Sequence, residues 1–557
     1  MALSRRERRG LALLLAAAGL VRWLAWARGA TLFNDGPRFL AIAQALSAGA
    51  WEAALRAGYH PLYPLATVAV QRAVPDWELA GVLVSIAGGI ASVAFLFLLL
   101  RDAFGSPAAW AGAVLLAVHS RAIDYASDVQ SDGLYAALFL AGVWFGWRAL
   151  RVRSARLAGA AGLASGLAYA TRPEGLELSL VLGLIASIEM ARGPWVSAAA
   201  GRLALRDGLR WIAALGAGVA AVAVPYVVVL EQATGAWAIT PKRSVAGVGA
   251  PPASHAAPPR GADPAAEPPL WSAYLEPSPA ASIDPEAIEI DESEDGMAVL
   301  VARTPEARVY AAAKMLARTA KSSMRYGVLA LVLLGLLASR GRPGARGRFL
   351  GTLVGTHLGL LFVFTLSVGY VSRRHTLPAL LPLLGYAGLG AAAAGSWIET
   401  QARALLGRSV PGGAAAGGLR GSLVAACIVA AVAAGELARQ IPPRRADELA
   451  GRRASEWLRR HAPTLGPVAA TRLRLGYYAG MPYVSLEGVA DAALGPYLER
   501  ARARYAVVDT PERAAAIERA PGLHARQLEY VEIGRGRAWV FELSSETQNG
   551  VGSPPAS

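Results

Sequence analysis

Carboxylates and guanidinium groups recur in this chain at the ends of apolar runs. Asp35 stands in Thr31-Leu32-Phe33-Asn34-Asp35-Gly36-Pro37-Arg38-Phe39, just beyond the first such run. A carboxylate at a membrane-water boundary, beside an enclosed cavity, can act as general base on an acceptor hydroxyl or amine. It could equally bind a divalent metal, orient a sugar, or be an ordinary solvated loop residue. A second acidic stretch runs from His119 to Asp132 and holds Asp124, Asp128 and Asp132. It contains no strict Asp-X-Asp, so a metal is only weakly signalled. Asp132 reads as the cap of the helix that follows, and Asp128 as the better candidate for chemistry.

Basic groups gather in matching places. Arg172-Pro173-Glu174-Gly175 is a tight turn between two short apolar runs. Pro and Gly break the helices there and hold a charged pair at the rim. Arg172 is shaped for a phosphate or carboxylate; alternatively Arg172 and Glu174 simply pair to close the turn. Arg373, Arg374 and His375 precede a run that starts Leu377-Pro378. Two adjacent arginines there call for a local anion, with a lipid phosphate or pyrophosphate as the natural candidate, unless they snorkel to headgroups. Lys242, next to Arg243, offers a weaker phosphate-facing pair. His60 and Tyr63, in Tyr59-His60-Pro61-Leu62-Tyr63-Pro64, complete the candidate substrate contacts. A lone histidine is more often not a metal ligand. There is no phosphate-binding glycine loop and no nucleophilic serine elbow.

These groups need a frame, and composition supplies one. The 557 residues are 54% hydrophobic and only 17% charged, with a mean hydropathy of +0.37. A soluble enzyme of this size would carry more charge. The fold class expected is a mostly α polytopic membrane bundle of about eleven spans with a small extracytoplasmic α/β C-terminal domain. Apolar cores at 11–27, 79–100, 108–118, 134–147, 157–170, 176–188, 211–230, 328–338, 349–370, 377–394 and 423–434 mark the spans. The single cysteine, Cys427, lies in the last of them, which excludes an internal disulfide and a cysteine-built zinc site. The net charge of +15 reflects arginines clustered between spans, as the positive-inside rule and anionic lipid explain. No nucleic-acid-binding module is visible.

Loop charge orients the bundle. Loops around 5–9, 148–156, 192–210, 340–348 and 403–420 are basic and expected to be cytoplasmic. The alternate loops carry Asp35, Asp124, Asp128, Asp132 and Glu174 and face outward. The expected organisation is a transmembrane domain at 1–440 with large outer loops at 29–78 and 231–323. An α/β domain at 441–543 follows, then a disordered tail at 544–557. In the first loop, 39–46 reads as an amphipathic helix lying in the interface, and the Pro-rich 59–64 as a stiff extended turn. Ala, Arg and Gly abundance suggests a bacterial chain, hence the inner (plasma) membrane, multi-pass, with the N-terminus cytoplasmic.

Taken in order along the chain, these motifs resemble the GT-C superfamily of glycosyltransferases that use polyprenyl-phosphate sugars. The similarity is greatest to the protein mannosyltransferase and lipid A aminoarabinose transferase branch. It spans roughly residues 10–400 and includes Gly166-Leu167-Ala168-Tyr169-Ala170-Thr171 leading into the Arg-Pro-Glu-Gly turn. The resemblance implies transfer of a sugar from a polyprenyl phosphate on the outer face, with inversion at the anomeric carbon. It gives Asp35 the role of the first-loop catalytic carboxylate and places Asp128 near a second acidic position. Arg373 and Arg374 become candidates to neutralise the leaving phosphate. Many relatives carry Asp-Glu where this chain has Asn34-Asp35, which leaves the second carboxylate and any divalent metal open. No other cofactor is expected. The acceptor (protein, glycolipid or polysaccharide) is not legible. A transporter or flippase, or a non-catalytic assembly protein for lipid-linked glycans, is the alternative.

Overall fold

The computed structural model describes residues 3–196, 203–241, 269–275, 304–339, 344–405 and 414–545. Lys242 and most of the 231–323 loop lie outside the described residues, as does the tail beyond 545. The membrane part opens with α1 (Arg5–Ala27), capped by a Ser4–Glu7 box. Then come α2 (Gly36–Ser47), α3 (Trp51–Arg56), α4 (Leu62–Gln71), α5 (Trp77–Phe104), α6 (Ser106–Val118) and α7 (Ser120–Ala126). They are followed by α8 (Asp132–Val152), α9 (Ala155–Thr171), α10 (Gly175–Arg192) and α11 (Leu205–Thr234). Helices Pro305–Met324, Tyr326–Ala338, Ala345–Val368, Arg373–Leu380, Leu384–Leu405 and Ala414–Ala438 complete the bundle.

Helices cover all eleven apolar cores, and among the described residues seven helices are long and apolar enough to cross a membrane. An eighth is counted if Pro305–Met324 and Tyr326–Ala338, bent by 99°, form one span. The other cores of the expected eleven lie on helices that are shorter or carry charge. At about 1.5 Å per residue, the 13 residues of α6 reach only about 20 Å of a roughly 30 Å apolar layer. α9 and Tyr326–Ala338 are also short, and α10 carries Glu177, Glu189 and Arg192.

Two first-loop expectations are corrected. α2 does not lie on an interface: nine of its twelve residues are buried, Phe39 to Ala43 among them. The C-terminal domain covers it, with Leu473 and Tyr477 joining its apolar face. The 59–64 segment is not an extended turn throughout, because α4 begins at Leu62. Pro61 and Pro64 fall at the helix start, where a missing N–H has no intrahelical partner to lose.

Close helix contacts set the positions of charged residues. Gly88 on α5 touches the first turn of α8; a Cβ there would stand 2.4 Å from the Leu134 nitrogen. At Gly175 a Cβ would stand 2.1 Å from the Tyr169 nitrogen. The starts of α8 and α10 are therefore fixed by backbone packing. Arg22, buried in α1, donates to the Ala117 carbonyl at 3.1 Å and ties α1 to the end of α6.

The C-terminal domain has strands β1 (Val468–Ala470), β2 (Tyr483–Ser485), β3 (Tyr505–Val508), β4 (Leu523–Ile533) and β5 (Gly536–Ser545). Their order is β2-β1-β3-β5-β4, parallel across β2-β1-β3 and antiparallel at β3-β5-β4. Side chains alternate as a strand requires. Ala506, Val508 and Phe541 face a core with Leu494, Leu498 and Ile517. Tyr505, Val507 and Val540 face the opposite core, with Ala450, Ala454 and Leu458 from helix Leu449–His461.

This domain grips the first loop. Arg452 donates to the Ala30 carbonyl at 3.0 Å, Thr31 donates to Glu448 at 2.8 Å, and the Leu32 N–H donates to the Tyr478 hydroxyl at 2.8 Å. Arg444 donates to the carbonyls of Asp124 and Ser127 at 3.0 and 2.7 Å. One domain thereby fixes both acidic loops.

Candidate active site

Asp35 ends the gripped stretch of loop. The Phe39 N–H donates to its backbone carbonyl at 3.1 Å, starting α2. Its side chain makes no cap bond and is left to meet other groups. Arg374 Nη1 donates to Asp35 Oδ2 at 3.0 Å, and the Tyr59 hydroxyl donates to Oδ1 at 3.2 Å. Burial first, and then the Asp35 charge, push the Tyr59 hydroxyl well above its usual pKa. It therefore remains a donor across neutral and mildly alkaline pH.

Arg374 sits in the first turn of helix Arg373–Leu380, whose N-terminus is closed by reciprocal bonds between Ser372 and His375. Its guanidinium is a bridge. While Nη1 holds Asp35, Nε and Nη2 donate to Asp132 Oδ2 at 3.0 and 2.8 Å. The guanidinium also lies over the Phe33 ring, 4.9 Å from its centroid. Such a fork can hold two carboxylates in fixed directions, which a lysine ammonium cannot.

Asp132 takes a second guanidinium from Arg172, which in turn stands 3.5 Å from Glu174 and over the Tyr135 ring. The expectation that Asp132 serves as a helix cap is corrected. It is the first helical residue, no side chain caps that helix end, and its carboxylate is spent on two arginines. The Arg172–Glu174 pair exists, but Arg172 does more than close its turn. His375 Nε2 approaches Glu174 at 3.8 Å. Behind it, buried His357 bonds Glu177 at 2.8 Å and the His375 carbonyl at 2.9 Å.

The node thus joins Asp35, Arg374, Asp132, Arg172 and Glu174 from four separate stretches of chain. The Asp35 side chain retains 29% exposure and Arg374 18%, whereas Asp132 retains 6%. Asp35 is the most exposed carboxylate of the node, ahead of Glu174 at 21%.

Other candidates lie elsewhere. Asp128 is buried and turned away from Arg374. It accepts from the Phe33 and Val129 N–H groups at 3.2 and 2.8 Å and pairs with Arg445 of the C-terminal domain. Arg373 donates to Ser322 at 2.9 Å, toward helix Pro305–Met324. His60 is buried, 3.3 Å from the Thr240 hydroxyl and between the rings of Tyr169 and Tyr226. Tyr63 is buried and donates to the Gly81 carbonyl at 2.9 Å, so it braces α4 on α5 rather than facing the node. Among the described residues no three His, Cys, Asp or Glu side chains converge as a metal site. Asp35 and Asp132 both present oxygens to Arg374, so as arranged they do not form a cation cage. Tyr59, Phe33, Tyr135 and Arg445 were not legible as site residues. Only the aromatic setting of His60 hinted at Tyr59.

The family model for dolichyl-phosphate-mannose-protein mannosyltransferases matches residues 60–206. That segment includes Asp132, Arg172 and Glu174 but neither Asp35 nor Arg374. A comparison with curated protein sequences returns no match. Among solved structures, ArnT from Cupriavidus metallidurans bound to undecaprenyl phosphate is similar with a TM-score of 0.52 and 14% identity. The alignment covers 95% of this chain and 97% of that one. The apo state of ArnT aligns with the same score and identity over 96% and 98%. The chain thus shares the fold of ArnT, and seven of its described helices are long and apolar enough to cross a membrane.

Proposed function

We propose that this protein transfers a sugar from a polyprenyl-phosphate donor to an acceptor, with inversion, at the extracytoplasmic membrane face. Asp35, Arg374 and Asp132 would form the reacting centre. The observation that carries this is the Arg374 guanidinium shared between a partly exposed carboxylate and a buried one. ArnT, which shares the fold, has been seen with undecaprenyl phosphate bound, and this supports the choice of donor class.

The chemistry balances without a nucleotide. The acceptor hydroxyl or amine attacks the anomeric carbon from the side opposite the phosphate. The bond between that carbon and the phosphate oxygen breaks, and its electron pair leaves with the polyprenyl phosphate. Asp35 takes the acceptor proton. Charge develops on the departing phosphate, where Arg374 can stabilise it. A well-placed donor in such a site is worth about 3 kcal/mol of barrier.

Asp132 and Arg172 keep the guanidinium aimed. A donor phosphate that draws Nη1 of Arg374 loosens its hold on Asp35 and releases that carboxylate to act as base. The bacterial inner membrane and an outward-facing C-terminal domain are parts of the same proposal, supported by the basic loops at the opposite helix ends.

The test is transfer by the purified protein in proteoliposomes supplied with a panel of radiolabelled polyprenyl-phosphate sugars. Product from one donor class, with inverted anomeric configuration by NMR, is expected. Retained configuration, or no product from any donor in the presence of membrane acceptors, would count against the proposal.

A further inference from the structure

We infer that the cleft between the end of α1 and the C-terminal domain binds the phosphodiester headgroup of an anionic membrane lipid. The site is separate from the Asp35–Arg374 node, and the inference does not depend on sugar transfer. The cleft encloses about 730 Å³, and its lining includes Arg28, Arg445, Arg452, Arg453, Arg535 and Asp447.

Its charge is only partly compensated from within the protein. Arg445 meets Asp128 and Glu448, and Arg452 and Arg453 share Glu456. Arg28 and Arg535 pair with no carboxylate among the described residues. They come to the cleft from different parts of the fold, Arg28 from the end of α1 and Arg535 from the β4–β5 turn, where Gly534 takes φ +62°. Guanidinium forks gathered along one cleft suit a phosphate group.

Depth favours a lipid over a soluble anion. Trp23 and Trp26 lie together on α1, 4.7 Å between ring centroids, just before Arg28. Such aromatic residues sit at the headgroup level of a bilayer, which puts Arg28 beside the phosphates. Between the arginines the wall is apolar, with Leu449 and Ile533. An apolar wall suits the glycerol and first acyl carbons of a phospholipid and gives nothing to a free phosphate ion. Arg445 is the partition: one side lines the cleft, and the other holds Asp128 and the Thr31 carbonyl. A bound headgroup would brace the C-terminal domain against both acidic loops.

The experiment uses the full chain in nanodiscs of phosphatidylglycerol or phosphatidylcholine, with retained lipid counted by native mass spectrometry. Wild type is expected to retain phosphatidylglycerol preferentially. Arg28→Gln with Arg535→Gln should weaken that retention by at least about tenfold, given the several-fold contribution of each arginine near an anionic surface. Equal retention of the two lipids by wild type, or undiminished retention in the double variant, would overturn the proposal. Hydrogen exchange on wild type provides a readout independent of variant folding. The 533–536 turn should be protected in phosphatidylglycerol and not in phosphatidylcholine. Equal protection by inorganic phosphate in phosphatidylcholine discs would reassign the site to a soluble anion and overturn the lipid assignment.

Discussion

Asp35 and Asp128 come from neighbouring loops, and each meets an arginine from more than 300 residues away, yet the two pairs are built differently. Asp128 has 2% of its side chain exposed, accepts two backbone N–H groups and takes Arg445 from the C-terminal domain. Its oxygens are consumed by protein. Asp35 keeps 29% exposure, has no cap duty, and shares its arginine with a second carboxylate. A sealed pair stabilises a domain contact. An open pair whose arginine has another partner can exchange that arginine for an incoming anion. The same two residue types thus serve docking in one place and, in our proposal, chemistry in the other.

The sharpest way to break this comparison is to neutralise each aspartate in turn. Asp35→Asn is expected to lower transfer by about 10²–10⁴-fold, the range for a lost general base, while thermal unfolding stays close to wild type. Arg374→Lys comes next. A single ammonium cannot hold Asp35 and Asp132 in two directions, so transfer should fall by about 10²-fold in kcat. The measurement is kcat and KM in proteoliposomes with saturating donor.

Asp128→Asn should reverse the pattern. It removes the charge partner that half-buried Arg445 finds in the second acidic loop, leaving it Glu448 and the Thr31 carbonyl, and should cost about 1–3 kcal/mol of stability. Hydrogen exchange should show looser packing of 30–33 and 444–452, with kcat reduced far less than in Asp35→Asn. A kcat loss as large as that of Asp35→Asn, without loosening, would erase the distinction. The smallest expected effect is from Tyr59→Phe. At 3.2 Å to a partly exposed carboxylate, this bond stands at the low end of the about 1.5–3 kcal/mol for bonds to charged groups, so about tenfold in rate is expected. Because the Tyr59 pKa is raised, the hydroxyl stays protonated as pH rises through the mildly alkaline range. The factor should therefore be the same at neutral and mildly alkaline pH, as a pH–rate profile would show.

Some of this was legible in the residues. Asp35 after a first apolar run, the Arg-Pro-Glu-Gly turn and the paired arginines all stand at one end of the bundle, as loop charge suggested. Asp132 at a helix start looks like a cap by a local rule. Its actual partners, Arg172 and Arg374, lie 40 and 242 residues away. Arg373 and Arg374 could not be told apart in sequence. Neighbours on a helix point about 100° apart, so one faces Asp132 and the other Ser322. Strand β4 carries little apolar signal, because it is an edge strand studded with charge, including Arg526, Glu529 and Glu532, as edges commonly are. α2 looked interfacial because the residues that cover it, Leu473 and Tyr477, come from the far end of the chain.

The most direct test of the central claim is single-turnover transfer in proteoliposomes with bound polyprenyl-phosphate sugar, comparing wild type, Asp35→Asn and Asp128→Asn. Our account predicts that Asp35→Asn retains the donor and loses the chemical step by at least about 10²-fold, while Asp128→Asn turns over bound donor at close to the wild-type rate. Undiminished turnover in Asp35→Asn would contradict it.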